Sequence, residues 1–479
     1  MPRPTILIKN KIKGLTRKIR ESMTFGVVVG NRGFFPAHLI QKGRQDIIEV
    51  LQDLGHKIIV LSEDDTLFGA VMTHEDARKC ANLFKSHAEE IDGIIVTLPN
   101  FGDEKAIANT LRWANLNVPI LIHAEPDTTM KQGERRDSYC GKISVCSNLN
   151  QYGIPFSLTT IHTCPVKGDS FKEDIKDFSA ICRVVNGLRA ARIGAIGARP
   201  AAFNTVRYSE KLLELEGISV ETIDLSEIIG RVKALETNDQ VKQRIEAIKS
   251  YVTISDKAPQ GSLEKIAKLA IVVEQWIEEN DLDAIAFQCW TAIEAYLGVA
   301  PCAILSILSN NYIPAACEVD VTGALSMLAL ELASGSAAAI LDWNNNYRDE
   351  PDKAVAFHCS NLPADLLENP TLDAHFSESF QAGSGYGTIS GRIRSGPFTF
   401  TRISTDDQAG RLTYYTGEGE FTDDELETFG GYGVMEIPDL QDLIKEICLS
   451  GFEHHFAATR GNVAHIIEEA LETYLDFLS

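Results

Sequence analysis

Two acidic residues lie in a stretch of chain that is otherwise apolar. Glu318 follows the run PAAC, and Asp342 follows the run AAAIL. Moving a lone carboxylate out of water is costly, so such a group is paired, protonated or bound to a metal ion. Taken alone, either acid could also be a helix cap or one half of an ion pair. We therefore predict a cationic partner between Glu318 and Asp342.

A third candidate ligand lies far downstream, in the adjacent pair His454 and His455. Two carboxylates and one imidazole suit hard or borderline divalent ions such as Mn²⁺, Co²⁺ or Mg²⁺. A metal ion held by only a few protein ligands leaves positions open for substrate oxygens. Adjacent histidines near a turn are also common surface residues, so the metal hypothesis depends on the whole set and its spacing.

The elements that must position these residues alternate between short β-branched strands and helices as far as Asp349. This alternation predicts parallel sheets covered on both faces, in which ligands collect at the carboxyl ends of the strands. Gln288, Glu318 and Asp342 each follow an apolar run that would deliver them to such an edge. Beyond Asp349, alternating segments punctuated by turns, such as GRLTYYTGEG, predict antiparallel strands.

The predicted fold class is therefore α/β, with two tandem parallel-sheet (Rossmann-like) domains followed by a mainly antiparallel β-barrel domain. The N-terminal α/β domain would span residues 1–167, and the central α/β domain, which carries Glu318 and Asp342, residues 168–350. The β-rich C-terminal domain, which carries His455, would span residues 351–479.

Charge and hydropathy exclude several classes of function. The chain of 479 residues has 45 basic and 67 acidic residues, and its net charge of −22 repels nucleic acid and anionic membranes. Residues 321–341 are largely apolar, but Glu331 and the Ser334-Gly335-Ser336 break indicate a buried helix and strand, not a membrane span. The basic N-terminal segment lacks the apolar stretch of a secretory signal, so we expect a cytoplasmic protein without nucleic-acid or membrane partners.

The cysteines and glycines argue against two common cofactor sites. The ten cysteines include no CxxC pair, so we expect reduced, mostly buried thiols and no zinc–thiolate site. Gly194 and Gly197 in RIGAIGARP resemble part of a dinucleotide fingerprint, but Pro200 replaces the third glycine. We expect a tight strand-to-helix turn there and no nicotinamide cofactor.

These residues resemble the L-fucose isomerase/L-arabinose isomerase superfamily of metal-dependent aldose–ketose isomerases, in its fucose-isomerase-like branch. In L-fucose isomerases, a Glu and an Asp at the same interval as Glu318 and Asp342 bind Mn²⁺. The register of HHFAATRGNVAH places His455 at the third ligand of that family. His358 in AFHCSN resembles an additional metal ligand of arabinose isomerases, with a satisfied buried histidine as the alternative.

The resemblance also implies contacts to a sugar. Gln288 in the FQ segment and Tyr386 in GSGYG correspond to substrate-binding positions of the family. Arg32 in GNRGFF matches an arginine that reaches the active site of a neighbouring subunit, which implies a homo-oligomer, a trimer or hexamer, with active sites at subunit interfaces. His454 stands where fucose isomerases have Asn, and Phe101 falls near a Trp that packs on the sugar. Both departures lie where the choice of substrate would be decided.

The implied reaction is reversible aldose-to-ketose isomerisation of an L-fucose- or D-arabinose-like sugar. It would proceed through a cis-enediol, with Mn²⁺ on O1 and O2 and with Glu318 and Asp342 sharing the proton transfer.

One alternative is an isomerase of a C6-modified hexose such as sulfoquinovose. For that substrate, the candidate cationic contacts are Arg392, Arg394 and Arg402. An alternative from another class is a non-catalytic sugar-binding protein, because two tandem α/β domains also describe solute-binding proteins.

Overall fold

The computed structural model describes residues 7–10, 16–256, 258–374 and 385–479, which group into two compact units. The N-terminal unit contains Arg20–Asn186 and Glu468–Asp476, and the C-terminal unit contains Gly187–Ile467 and Phe477–Ser479. The C-terminal unit also includes an antiparallel pair of strands, which are β1 (Leu7–Asn10) and β2 (Thr16–Ile19). The division into three domains stays a prediction, and its first residues lie outside the described ranges.

A five-stranded parallel sheet with the order β4-β3-β5-β6-β7 is the centre of the N-terminal unit. Its strands are β3 (Thr24–Val29), β4 (Lys57–Val60), β5 (Gly93–Leu98), β6 (Ile120–Ala124) and β7 (Ser157–Leu158). Its helices are α1 (Ala37–Asp53), α2 (His74–Ser86), α3 (Glu104–Ala114), α4 (Ser138–Gln151) and α5 (Asp169–Leu188). Helices α1 and α5 pack on one face and α2, α3 and α4 on the other. The three central strands are buried throughout, which explains their unbroken apolar runs.

The segment Glu468–Asp476 completes the N-terminal unit. It contains a π-helical turn, Glu469–Tyr474, and the buried Tyr474 hydroxyl binds three groups at the ends of β6 and β7. This hydroxyl donates to the carbonyl of Ile120 (3.1 Å), accepts the N–H of Ile120 (3.2 Å) and lies 2.8 Å from Oγ of Ser157. The last turns of the chain are therefore hydrogen-bonded into the first sheet.

The C-terminal unit begins with a second parallel sheet, of order β12-β11-β8-β9. Its strands are β8 (Arg192–Ile196), β9 (Ser219–Ile223), β11 (Ala284–Phe287) and β12 (Ala315–Ala316). The helices of this region are α6 (Glu210–Leu215), α7 (Leu225–Ala234), α8 (Asp239–Tyr251), α9 (Ser262–Glu279), α10 (Ala292–Leu297), α11 (Cys302–Asn310) and α12 (Val321–Ser334). Between α8 and α9, β10 (Thr253–Ile254) pairs outside this sheet.

Six antiparallel strands close into a barrel in the order β14-β13-β20-β17-β18-β19, because β18 also pairs with β19. They are β13 (Ala338–Asn346), β14 (Lys353–His358), β17 (Gly396–Asp406), β18 (Arg411–Phe421), β19 (Gly431–Glu436) and β20 (His455–Arg460). Strands β15 (Leu367–Ala374) and β16 (Tyr386–Ile393) extend the sheet from β19 and link it to β10. Two further helices are α13 (Leu440–Ser450) and α14 (Ala464–Glu468). Two parallel-sheet α/β regions followed by an antiparallel barrel confirm the predicted fold class.

One strand differs from its predicted place. Asp342 does not follow a strand of the parallel sheet, as its apolar run suggests, but lies inside barrel strand β13. The first four residues of β13 are buried, because α12 packs against this region of the barrel. Burial of both faces removes the alternating pattern by which an antiparallel strand is recognised.

Helix α12 includes the apolar stretch that a membrane span would need, but nearly all of it is buried within the C-terminal unit. Among the described residues, no helix has the length and the apolar character needed to cross a membrane.

A neutral histidine is built into the first sheet. His123 on β6 is fully buried, with Nδ1 2.9 Å from Oγ1 of Thr97 and Nε2 2.8 Å from the carbonyl of Cys164. The carbonyl can only accept, so Nε2 carries the hydrogen and the Thr97 hydroxyl donates to Nδ1. Burial lowers the pKa of His123 to about 4. Since the unfolded chain binds this proton near pH 6.5, stability from His123 is present above that pH and is lost as the pH falls.

We predict that lowering the pH from 7.5 to 5.5 destabilises β6 through His123 by about 1 kcal/mol. Amide hydrogen exchange of the peptide that contains β6, corrected for intrinsic rates, would measure the opening free energy. The variant His123→Gln should be less stable at pH 7.5 but show a shallower dependence on pH. Equal pH dependence in the two proteins would contradict the prediction.

Candidate functional site

Glu318, Asp342 and His455 come from two parts of the C-terminal unit. Glu318 lies in the turn between β12 and α12, at the edge of the parallel sheet, with a φ of 55°. Asp342 on β13 is the register partner of His455, the first residue of β20. Paired residues of antiparallel strands project from the same face of the sheet. The barrel pair and the turn residue meet where the parallel sheet adjoins the barrel.

Three atoms of the kind that bind metals face one another here. Nε2 of His455 lies 3.3 Å from Oδ1 of Asp342 and 3.8 Å from Oε2 of Glu318. Both oxygens are buried, and neither has a hydrogen-bond partner within the part of the chain that the structure describes. Buried polar atoms are normally satisfied by a donor, water or a cation. The three residues expected to be metal ligands are therefore close together, with two carboxylate oxygens available.

His358, the last residue of β14, adds a second imidazole. Its Nε2 lies 3.6 Å from Oε2 of Glu318, and its ring centroid lies 5.8 Å from that of His455. The side chain is buried and its Nδ1 lies 3.7 Å from Sγ of Cys359. His358 is thus close enough to be considered as a fourth ligand, and its contacts with Glu318 and Cys359 also agree with the alternative of a satisfied buried histidine.

The charges in this cluster strongly favour a cation. Burial alone would raise the pKa of Glu318, but His358, His455 and a hydrogen bond from Trp290 outweigh it and lower the pKa to about 2. Burial would lower the pKa of His455, but Asp320, Asp342 and Glu318 outweigh it and raise that pKa. Burial likewise opposes protonation of His358, whereas Cys359 and Glu318 raise its pKa well above the ordinary value. The same negative potential that attracts protons to these imidazoles would attract a divalent ion.

A fully buried ion pair fixes the position of His455. The carboxylate of Asp320 accepts from both terminal nitrogens of Arg402, at 2.6 and 3.0 Å, and lies 2.9 Å from Nδ1 of His455. Arg402 also donates from Nε to Glu453 at 3.0 Å. In the neutral imidazole, Nδ1 then carries the hydrogen and Nε2 presents its lone pair to Glu318 and Asp342. This carboxylate–histidine arrangement is typical of histidines that bind metals.

Asp320 also caps α12, with Oδ1 accepting the N–H of Gly323 at 2.9 Å. A Cβ at position 323 would lie 2.3 Å from Oδ2 of Asp320, so a glycine is required beside this carboxylate. The helix start, the ion pair and the orientation of His455 consequently depend on one side chain.

The donor set fits a divalent ion of the predicted kind. Two carboxylate oxygens without hydrogen-bond partners and an imidazole whose tautomer is set by Asp320 suit Mn²⁺, Mg²⁺ or Co²⁺. Glu318, Asp342 and His455 are the residues that could hold it, with His358 as a fourth candidate.

The open side of the cluster is lined by aromatic and imidazole rings. Phe203 contacts the rings of Trp290, His454 and His455, with centroids 5.5 to 5.9 Å apart. Side-chain exposure is 42% for His454 and 20% for Asp342, whereas it is 1% for His455, so the cluster is exposed to solvent on the side of His454 and Asp342. Nε2 of His454 lies 3.7 Å from Oδ1 of Asp342. A contact between His454 and a substrate remains a prediction.

Two other predicted contacts in the C-terminal unit have partners within the protein. Gln288 follows β11, and its Oε1 accepts the N–H of Ala198 at 2.9 Å. Tyr386 at the start of β16 is fully buried, and its hydroxyl donates to the carbonyl of Leu372 at 3.4 Å. The first part of its GSGYG turn lies outside the described residues. Sugar contacts by Gln288 and Tyr386 remain predictions.

Arg32 and Phe101 belong to the N-terminal unit, at the carboxyl ends of the neighbouring strands β3 and β5. Cζ of Arg32 lies 4.1 Å from the centroid of the Phe101 ring. The Arg32 guanidinium also donates to the carbonyl of Gly102 (3.1 Å) and pairs with Glu104. The strand order reverses between β3 and β5, which is where open α/β sheets bind ligands. The roles of Arg32 and Phe101 toward substrate remain predictions.

The three arginines considered as contacts for a charged C6 group are held by other interactions. Arg402 is fully buried and its guanidinium is occupied by Asp320, Glu453 and Thr322. Arg392 donates to the carbonyls of Thr422 and Asp424, and Arg394 donates to that of Leu367. The hypothesis that Arg402 contacts the sugar is therefore wrong, because a guanidinium with no exposed surface cannot reach a ligand in the pocket.

The sequence did not indicate Asp320, Phe203 or Trp290 as neighbours of the site, and it indicated Arg402 only as a sugar contact and not as a partner of Asp320. Asp320 precedes the apolar helix as an ordinary N-cap would, so its sequence signal indicates a cap and not a partner of His455. Phe203 lies in the turn after GARPAA, where only the glycines carry a recognisable motif. Trp290 lies two residues after Gln288, and its Nε1–H donates to Oε1 of Glu318 at 3.0 Å.

Comparison with known proteins identifies relatives of both units. A family model described as "Fucose/sulfoquinovose isomerase, N-terminal domain" matches residues 26–189, and one described as "L-fucose isomerase, C-terminal domain" matches residues 356–479. The sulfoquinovose isomerase of Priestia aryabhattai is 25% identical over 384 residues, which cover 79% of this chain and 83% of the relative. That of Alkalicoccus urumqiensis is 26% identical over 382 residues, with the same coverage. That of Clostridium sp. (strain MSTE9) is 23% identical over 287 residues, covering 58% of this chain and 62% of the relative.

We predict that Arg402→Met destabilises the C-terminal unit by about 3–5 kcal/mol, because it leaves Asp320 and Glu453 buried without their cation. Urea unfolding followed by the fluorescence of Trp276, Trp290 and Trp343 would measure the change. The control Arg392→Met removes an arginine that donates to backbone carbonyls and should cost about 1 kcal/mol. A loss no larger than in the control would contradict the prediction.

Proposed function

We propose that this chain interconverts sulfoquinovose and the corresponding ketose. The chain belongs to the fucose isomerase-like family. It is therefore an enzyme, an aldose–ketose isomerase. The observation that carries the chemistry is the meeting of two buried carboxylate oxygens without hydrogen-bond partners, on Glu318 and Asp342, with Nε2 of His455. The choice of sugar follows the relatives, which are named as sulfoquinovose isomerases. They favour a sulfonated hexose over the L-fucose- or D-arabinose-like sugar expected from the sequence.

Glu318, Asp342 and His455 would hold a divalent ion, with Mn²⁺ as the proposed metal. When bound, such an ion supplies a Lewis acid that stabilises negative charge on substrate oxygens. Asp320 keeps the hydrogen of His455 on Nδ1, and Trp290 holds Oε1 of Glu318 so that Oε2 remains directed at His455.

The two carboxylates would share the proton transfers of the isomerisation. One accepts the proton from C2 of the open-chain sugar and returns it to C1, and the other moves the hydroxyl proton between O2 and O1. Both acids are held on strands or tight turns, so their oxygens stay near adjacent carbons of a bound sugar. Phe203 and Trp290 cover one side of the site and limit access of water to the cis-enediol.

A sulfonate at C6 needs a cationic side chain beside it, because the net charge of −22 on the chain as a whole repels anions. The arginines of the C-terminal unit discussed above donate to protein groups, and Arg402 is fully buried. Arg32 also pairs with Glu104, but its side chain is 22% exposed and lies where the strand order of the first sheet reverses. Arg32 is our proposed contact, contributed to the active site of a neighbouring subunit in a homo-oligomer. A guanidinium fits the oxygens of a sulfonate in the bidentate way in which it binds phosphate.

A non-catalytic sugar-binding protein is the alternative from another class. It would not explain why the buried carboxylates of Glu318 and Asp342 lie together with His455. The relatives are isomerases, which argues against it.

We predict that Glu318→Gln and Asp342→Asn each lower the rate of isomerisation by at least about 10³-fold, because each removes a proton-transfer group. Ketose formation followed by NMR with Mn²⁺ would measure it. The control Glu368→Gln changes an exposed carboxylate on β15 and should retain the wild-type rate. Near-native turnover in either site variant would disprove the assigned roles.

We predict that Asp320→Asn weakens Mn²⁺ binding by about 10- to 100-fold, because a neutral amide replaces the negatively charged carboxylate that fixes the tautomer of His455. His455→Ala should weaken binding further and regain part of its activity in excess Mn²⁺. Titration with Mn²⁺, followed by the electron paramagnetic resonance of the free ion, would give the affinities. Unchanged affinity in folded Asp320→Asn or His455→Ala would refute the metal assignment.

A panel of aldoses with Mn²⁺ present tests the substrate. We expect ketose formation from sulfoquinovose to exceed that from L-fucose, D-arabinose and D-glucose. Arg32→Ala should raise KM for sulfoquinovose by about 10-fold or more and leave KM for an uncharged aldose nearly unchanged. Equal effects on charged and uncharged sugars would argue against Arg32 as the sulfonate contact.

A further inference from the structure

Two buried cysteines lie beside Glu318, although separate elements of the fold carry them. Cys289 follows β11, and Cys317 follows β12. A third, Cys359, follows β14 and is half-buried. The convergence results from the topology, because β11 and β12 are neighbours and their carboxyl ends lie at one edge of the parallel sheet.

The two thiols are close to each other and to Glu318. Sγ of Cys289 and Sγ of Cys317 are within 4.8 Å of each other. The Cys289 thiol also lies 3.5 Å from Oε1 of Glu318. Nearby, Sγ of Cys359 lies 3.7 Å from Nδ1 of His358. The isomerisation described above uses none of these sulfurs.

The spacing of the donors matches the requirements of one ion. Sγ of Cys289, Sγ of Cys317 and a carboxylate oxygen of Glu318 all lie within 4.8 Å of one another. Two sulfur ligands on a tetrahedral ion, each at about 2.3 Å, are about 3.8 Å apart. Soft sulfur ligands select thiophilic ions over Mn²⁺ or Mg²⁺.

We propose that Cys289, Cys317 and Oε1 of Glu318 form a binding site for a thiophilic divalent ion of the class of Cd²⁺ and Zn²⁺. Each thiol that becomes a ligand releases its proton to water, so binding forms metal–sulfur bonds without any change of oxidation state. The sequence predicts no zinc–thiolate site, because it contains no closely spaced cysteine pair. The fold brings the donors together from separate elements.

The proposed ion would share Glu318 with the proposed Mn²⁺ site. Oε1 faces Cys289 and Trp290, and Oε2 faces His358 and His455. A second divalent cation on Oε1 withdraws negative charge from Oε2 and weakens Mn²⁺ binding by repulsion. Binding of Cd²⁺ would therefore inhibit the isomerase. This second step depends on the proposed function, whereas occupation of the thiol site does not.

The test uses full-length protein with Cys140→Ala and Cys448→Ala, which removes the two exposed thiols. Cd²⁺ is titrated with Mn²⁺ present, and thiolate-to-cadmium charge-transfer absorption is recorded in the ultraviolet. We expect this absorption to saturate at one equivalent of Cd²⁺ per chain. In the same background, Cys289→Ala with Cys317→Ala should lose most of it, whereas the matched control, Cys80→Ala with Cys182→Ala in the N-terminal unit, should retain it.

Protection from alkylation provides a measurement that needs no core variant. One equivalent of Cd²⁺ should reduce the labelling of Cys289 and Cys317 by iodoacetamide by at least about 5-fold, read by peptide mass spectrometry. No charge-transfer absorption at one equivalent, or equal absorption in the Cys289/Cys317 and Cys80/Cys182 double variants, would overturn the proposal. If absorption appears without loss of isomerase activity, the thiol site stands and its coupling to Glu318 is refuted.

Discussion

The guanidinium of Arg402 is a full positive charge without contact to solvent, and the geometry of the candidate site depends on it. It connects β17 to the first turn of α12 through Asp320, and to the segment before β20 through Glu453. A buried ion pair adds little to stability when complete, but losing one partner is costly. Substitution of Arg402 or of Asp320 is therefore costly, even though neither residue is proposed to touch substrate. The arrangement directs Nε2 of His455 toward the two carboxylates.

The C-terminal unit contains a parallel sheet and an antiparallel barrel. The candidate site combines a turn at the end of the parallel sheet with two paired residues on the barrel strands. The parallel sheet contributes a tight turn in which Glu318 has a positive φ, while the barrel contributes two directly paired residues. A closed barrel resists shear because all of its strands are paired on both sides. Asp342 and His455 are thus held on a rigid frame, whereas Glu318 is held by Trp290, Cys289 and the cap of α12. Two carboxylates with different supports suit a reaction in which two protons move between different atoms.

The sequence indicated the candidate site residues because their chemistry conflicts with their surroundings. Glu318 and Asp342 are acids among apolar residues, and the interval between them matches that of a known family. Asp320 and Arg402 could not be found in this way, since an Asp before a helix reads as a cap and an Arg in an alternating strand reads as exposed. Their pairing joins residues from α12 and β17, which only the tertiary structure brings together. The barrel strand with Asp342 was placed in the wrong sheet for a related reason, because burial of both faces hides its alternation.

The hydrogen bonds of Tyr474 to the ends of β6 and β7 bear on the order of events during synthesis. Most of the N-terminal unit is synthesised early, but Glu468–Asp476 follow residues Gly187–Ile467 of the C-terminal unit in sequence. Until Glu468–Asp476 have been made, the backbone groups of Ile120 and the hydroxyl of Ser157 must be satisfied by water. The first sheet is therefore an incomplete intermediate during the whole time in which Gly187–Ile467 are translated.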